Sequence, residues 1–225
     1  MPGFRFTFDL RSVLALVMLC WLASFAHEFT HHLAGLVLCG PDGRMSLSLF
    51  ALADGCGPRW PWATAAGPAL SYLLMWIGMA LLLRGSRPWW GLALVIANKP
   101  LMRLLTAAAG GGDEGRLWSL VAPQSARWLA TATVLMLVLP PLWACWRALP
   151  ARGRGWVLPA ALLLPMLPLL GVPAIDTAVY GDWIHGQATL PAAFGVPYSV
   201  WAIEVGVCLL FLGLLLGLRV ARRTH

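Results

Sequence analysis

Apolar residues in this chain come in long unbroken runs rather than in the alternating pattern of a half-buried strand. Runs at about 12–38, 62–83, 88–108, 127–147, 156–174 and 199–218 are each near the roughly 20 residues that a helix needs to cross a bilayer. Turn-forming punctuation separates them: Gly40-Pro41, the stretch Arg84-Gly85-Ser86-Arg87-Pro88, Gly110-Gly111-Gly112 and Arg152-Gly153-Arg154-Gly155. The fifth run carries Pro159, Pro165 and Pro168, which predicts a kinked or broken helix. Between the first two runs, Met45-Ser46-Leu47-Ser48-Leu49 alternates apolar and polar, and Ala53-Asp54-Gly55 supplies a turn signal. That segment predicts a short strand or hairpin at the membrane surface; an ordinary interfacial loop is the equal alternative. The expected fold is an all-α polytopic membrane protein with about six transmembrane helices, read as one domain over 1–225.

Composition narrows the solvent. Of 225 residues, 60% are hydrophobic and 11% charged, whereas a soluble domain has about 25% charged residues. A soluble enzyme, a disordered chain and a secreted disulfide scaffold are excluded; the expected surroundings are a lipid bilayer. The net charge of +7 is not a nucleic-acid footprint, because all but one of the basic residues are Arg and they sit mostly at the edges of apolar runs. Arg5, Arg11, Arg84, Arg87, Arg147, Arg152, Arg154, Arg219, Arg222 and Arg223 fall on one side of six spans. Arg44, Arg59, Arg116 and Arg127 fall on the other, with Lys99 and Arg103 inside the third span. The richer side, with both termini, is expected in the cytoplasm. Ser24-Phe25-Ala26 mimics a signal-peptide cleavage site, but the apolar helix resumes after it and five more spans follow, so the first span is expected to be retained.

Cys20, Cys145 and Cys208 lie within apolar runs as small hydrophobes. Cys39 and Cys56 bracket the first loop, where a bridge could form on the weak support of their placement alone.

The chemistry concentrates in His27-Glu28-Phe29-Thr30-His31. Residues four apart share a helical face, so both imidazoles can hold one Zn²⁺ while the adjacent Glu serves as general base. From the frequencies of His and acidic residues in this chain, about 0.004 such windows would arise by chance. Ionisable groups inside an apolar span are costly and mark function by default; a structural polar cluster is the alternative. His32 projects about 100° from His31 and is expected beside the site rather than on the metal. A third ligand is required, from Asp113, Glu114, Asp176, Asp182, His185 and Glu204. His27 stands about 24 Å along the first helix from Arg11, past the middle of a ~30 Å core. The third span runs outward to the glycine break, which can fold the chain back into a water-lined cavity. Depth therefore favours Asp113, with Glu114 in reserve.

Together, His27-Glu28-x-x-His31 in the first span, Ala66-Gly67-Pro68 opening the next and Asp113-Glu114-Gly115-Arg116-Leu117 after the third resemble the site-2 protease family of intramembrane zinc metalloproteases. The likeness is to its small bacterial peptidase-like branch and covers about residues 20–120. It implies a three-helix catalytic core within 12–120, with 127–218 as additional helices, in a bacterial inner membrane. It also implies zinc on His27, His31 and Asp113, with Glu28 activating water to cleave a membrane protein substrate. The family's substrate-contacting Asn residues correspond here to Ser71, after Gly67-Pro68, and to Asn98 of Asn98-Lys99-Pro100, which lies further from the Asp than in the family. In that family the surface hairpin edge helps to hold an extended substrate, and the site usually lies nearer the cytoplasm, whereas the charge count here puts it nearer the outside.

Lys99 and Arg103, four apart, are expected on one face of the third helix, pairing with an intramembrane acid such as Glu204 or lining a hydrated cavity. The tryptophans near span ends, as in Trp60-Pro61-Trp62 and Trp89-Trp90, read as interfacial anchors. Asp176, Asp182 and His185 match no specific cation-site spacing. Two other functions remain open from sequence: a non-proteolytic membrane protein with a structural or sensory metal site, and a small transporter.

Overall fold

A computed structural model describes residues 9–221; Arg5, Arg222 and Arg223, part of the charge count above, and both chain termini lie outside them. The chain opens with α1 (Leu10–Cys39), then β1 (Arg44–Met45), β2 (Phe50–Ala51) and a 3-10 turn (Gly57–Arg59) leading into α2 (Trp60–Arg84). There follow α3 (Pro88–Ala97), α4 (Pro100–Ala108), α5 (Gly112–Val121) and α6 (Ala126–Ala148). Next come α7 (Arg154–Leu163), a 3-10 segment (Leu164–Leu169), α8 (Val172–Ile184), β3 (Ala192–Ala193), β4 (Val196–Pro197) and α9 (Tyr198–Ala221). Among the described residues six segments are long and apolar enough to cross a membrane: Leu10–Cys39, Gly57–Arg84, Pro88–Ala108, Ala126–Ala148, Arg154–Ile184 and Tyr198–Gly217. The protein is an all-α integral membrane protein with small hairpins.

Contacts divide the chain into two compact units, each drawing on both halves of the sequence. One takes residues up to Cys20 with Ser71–Leu167; the other takes Trp21–Leu70 with Pro168 onward.

In the first unit, α6 packs against α3, α4 and α5, around Tyr72, Met75, Ala107, Ala130, Val134 and Val138. Gly78 and Gly91 let two helix backbones touch, since a Cβ on either would lie 2.7 Å from the other's carbonyl oxygen. Small residues serve this purpose where lipid offers no hydrophobic drive to association. The third span is not one helix. Pro100 disfavours the right-handed helical conformation at the preceding Lys99, which instead adopts φ 53°, in the left-handed region. Lys99 and Arg103 are therefore not on one continuous helical face. Arg103 pairs with Glu114 at 3.1 Å rather than with Glu204, the partner lying just past the Gly110–Gly112 reversal. Gly110 (φ 84°) and Gly112 (φ 75°) make that reversal between α4 and α5 by using backbone conformations that residues with a side chain rarely adopt.

In the second unit, Phe25, Met45, Leu47, Tyr180, Val196 and Val200 form the core, flanked by Trp21, Phe29, Phe50 and Trp201. β1 and β2 pair antiparallel, Arg44 opposite Ala51 and Met45 opposite Phe50. The connection lies at residues 46–49 rather than at Ala53-Asp54-Gly55. Its position follows from Asp176, which is fully buried and accepts hydrogen bonds from Ser46 Oγ (2.8 Å), Leu47 N (3.1 Å), Ser48 N (2.8 Å) and Ser48 Oγ (2.8 Å). β3 and β4 form a second hairpin, with Phe194 (φ 53°) and Gly195 (φ 72°) at its turn, and Met45 N donates to Gly195 O at 2.9 Å. The fifth span breaks at its prolines as expected, but it continues to Ile184 beyond the expected end at 174. Asp176 and Asp182 are thus helical, with His185 capping the helix, instead of forming a loop. Cys39 and Cys56 are disulfide-bonded, with Cα atoms 4.4 Å apart, closing the segment that holds the first hairpin.

Candidate metal centre

His27 and His31 lie one turn apart on α1, both buried. Their Nε2 atoms are 3.1 Å apart, with the rings in an edge-on arrangement at 4.6 Å. His31 is fixed on three sides. Its Nδ1 lies 2.9 Å from the Ala63 carbonyl oxygen; a carbonyl can only accept, so Nδ1 carries the proton and Nε2 of the neutral ring presents its lone pair toward His27. Its ring stacks on Phe50 of β2 at 4.5 Å and 15°. Its third neighbour is α2 at Gly67, where a Cβ would come within 2.6 Å of the ring. Only glycine leaves that space, which gives Ala66-Gly67-Pro68 a local physical reason. Pro68, inside α2, also removes one backbone donor beside this contact.

This arrangement suits a metal ion. Two nitrogens held about 2.0–2.1 Å from one tetrahedral zinc are separated by roughly 3.3 Å, within a few tenths of the observed spacing. An imidazole whose far nitrogen donates to a backbone carbonyl is oriented in the way that metal-ligating histidines are. Glu28, adjacent to His27 on α1, is half-buried.

His32 is buried but turned elsewhere. Its Nε2 donates to Phe194 O at 2.6 Å, and a Cβ on Gly195 would come within 3.0 Å of its ring. It tethers the second hairpin, as its angular offset from His31 allows.

Asp113 occupies the first turn of α5, half-buried, where the helix N-terminus favours a carboxylate. It belongs to the first unit, whereas His27 and His31 belong to the second. Glu114 next to it is engaged. Tyr72 OH donates to its Oε1 at 2.5 Å and Arg103 Nη1 at 3.1 Å, while Arg103 Nη2 donates to Ser71 Oγ at 2.8 Å. Ser71 is thus part of a buried polar network. Asn98 is buried too, its Nδ2 donating to Leu94 O at 2.8 Å inside its own helix. Glu204 accepts from Trp21 Nε1 at 2.7 Å.

Sequence reasoning missed Ala63 and Phe50, and weighed Asp176 only as a metal ligand. The first two act through a carbonyl and a ring face, which leave no motif. Asp176 had a signal, an acid near an apolar run, but its partners lie 128 to 130 residues away.

Comparison of the chain with protein-family models, with curated proteins and with solved structures finds no match.

Proposed function

We propose that the protein is an intramembrane zinc endopeptidase, hydrolysing a peptide bond in or near a transmembrane segment of another membrane protein. The observation that carries this reading is the His27–His31 pair, buried in a membrane-length helix, with the Nε2 atoms 3.1 Å apart and the His31 tautomer set by Ala63. An apolar span has no packing need for two converging imidazoles beside a glutamate, and holding them there is costly.

His27, His31 and Asp113 would hold the zinc, with Glu114 committed to Arg103 and Tyr72. When bound, zinc would supply Lewis-acid polarisation of a carbonyl and acidify water. Glu28 takes the proton of the attacking water and returns it to the leaving amine. An extended substrate would lie along β2, whose Phe50 already touches His31. The engagement of Arg103 and Glu204 within the protein weighs against a transport path built on them.

The same proposal includes an orientation, with the first loop outside the cytoplasm of a bacterial inner membrane and both chain ends inside. Ten of sixteen basic residues lie on the inner side of that arrangement. The Cys39–Cys56 bridge belongs in an oxidising compartment.

Metal analysis of the purified protein tests the reading. About one zinc per chain is expected, lost in His27→Ala and His31→Ala and weakened in Asp113→Asn. A protein that binds no zinc, or retains it in His31→Ala, contradicts the proposal.

A further inference from the structure

Asp176 lies within a membrane-length apolar segment, Arg154–Ile184, and none of its surface is exposed. A carboxylate there needs its oxygens satisfied. Four donors do this: Ser46 Oγ, Ser48 N and Ser48 Oγ converge on Oδ2, and Leu47 N on Oδ1. The number equals the roughly four lone-pair positions of a carboxylate, with three donors sharing Oδ2 and one on Oδ1. All four donors belong to the tip of the first hairpin.

The hairpin cannot order itself. It has two residue pairs and one further backbone bond, Ser46 N to Leu49 O at 2.9 Å, and an isolated hairpin even of ordinary length is marginal. Asp176 fixes its tip and the Cys39–Cys56 bridge closes its base. Two residues beyond the clamped Ser48, Phe50 stacks on His31. β1 is joined on its far side to Gly195 of the second hairpin, and among the described residues β2 has β1 as its one strand neighbour. The outward edge of β2, beside His31, is where an added strand would pair.

We infer that Asp176 is a positioning residue for substrate: through the 46–48 tip it holds the β2 edge in the register that lays an extended peptide beside His31. This rests on the protease reading above. Asp176 is remote from the reacting atoms, so its loss should act on substrate capture more than on turnover.

The test compares Asp176→Asn with wild type, using a reporter with one transmembrane segment of Leu and Ala interrupted by a central Gly-Ser pair. Asparagine keeps the shape but turns an amide NH₂ toward donors. KM should rise on the order of tenfold, with kcat changed less than about threefold and zinc content unchanged. Backbone hydrogen exchange at residues 44–51 should quicken in parallel. The Ser46→Ala/Ser48→Ala double variant, which keeps both backbone donors, should show a smaller change in the same direction, and it serves if Asp176→Asn does not fold. Unchanged exchange, or unchanged KM beside a wild type that cleaves, overturns this inference alone; so does a fall in zinc content that tracks the loss of activity. A wild type that holds no zinc and cleaves nothing overturns the protease reading, and this inference with it.

Discussion

Gly67→Ala should damage the histidine pair even though alanine is the better helix former. An added Cβ would sit 2.6 Å from two His31 ring carbons and closer still to Nε2, against 3.4 Å for ordinary contact. The ring must therefore retreat by about 1 Å, and it is no free end of a flexible chain. Ala63 and Gly67 are four apart on α2, on one face, so retreat from Gly67 is also retreat from the Ala63 carbonyl. The 2.9 Å bond would then stretch to roughly 3.9 Å, beyond hydrogen-bond range. Movement the other way is limited by the Phe50 ring. Losing a buried hydrogen bond costs about 1–3 kcal/mol and overpacking about 1–3 kcal/mol more, offset by about 1 kcal/mol from replacing a helical glycine. The net expectation is about 1–5 kcal/mol of lost stability. Zinc affinity should fall 10- to 100-fold, the usual effect of losing a ligand's orienting partner. Competition with a chromogenic zinc chelator measures the affinity, and thermal unfolding in detergent measures the stability. Gly213→Ala on α9, where nothing lies within 4 Å, is the control. If Gly67→Ala matches that control in both measurements, the packing argument for His31 is wrong.

Three further outcomes follow from local geometry. Cys39→Ser should lower stability by about 3 kcal/mol, the scale for a bridge closing a loop of this size, and in the wild type both thiols should become labelled by an impermeant reagent only after reduction. Glu114→Gln should cost about 3–5 kcal/mol by breaking its buried ion pair with Arg103, whereas Tyr72→Phe should cost about 1.5–3 kcal/mol for one lost bond to a charged acceptor; equal effects in denaturation would contradict the pairing. His32→Ala should keep zinc while loosening the second hairpin, seen as faster hydrogen exchange at residues 192–197; metal loss equal to that of His31→Ala would refute its assignment as a tether.

The six spans were legible because hydrocarbon imposes a length and an apolar content that few other environments demand. The His27–His31 pair was legible because helical spacing is local. What escaped depended on single dihedrals or on distant partners. The break at Lys99 is set by one residue ahead of Pro100, inside a run whose hydropathy never falters. The extension of α8 carries Asp176, which looks like a loop residue until Ser46, Leu47 and Ser48 are seen to satisfy it. The hairpin itself was expected, but its turn was misplaced because Ala53-Asp54-Gly55 is the stronger local signal, and Asp176, from far along the chain, overrides it. Arg103 was assigned a remote acid when Glu114 waited across the glycine reversal.

The central claim is that Glu28 performs chemistry beside a metal held by histidines. Zinc content and cleavage of a membrane-spanning reporter, measured side by side for wild type and Glu28→Gln, test it most directly. Glutamine keeps the volume and hydrogen-bonding capacity but cannot accept a proton at neutral pH. The account predicts unchanged zinc with cleavage lowered by about 10²- to 10⁴-fold, the range for a lost general base. Cleavage retained in Glu28→Gln at full zinc occupancy would contradict it.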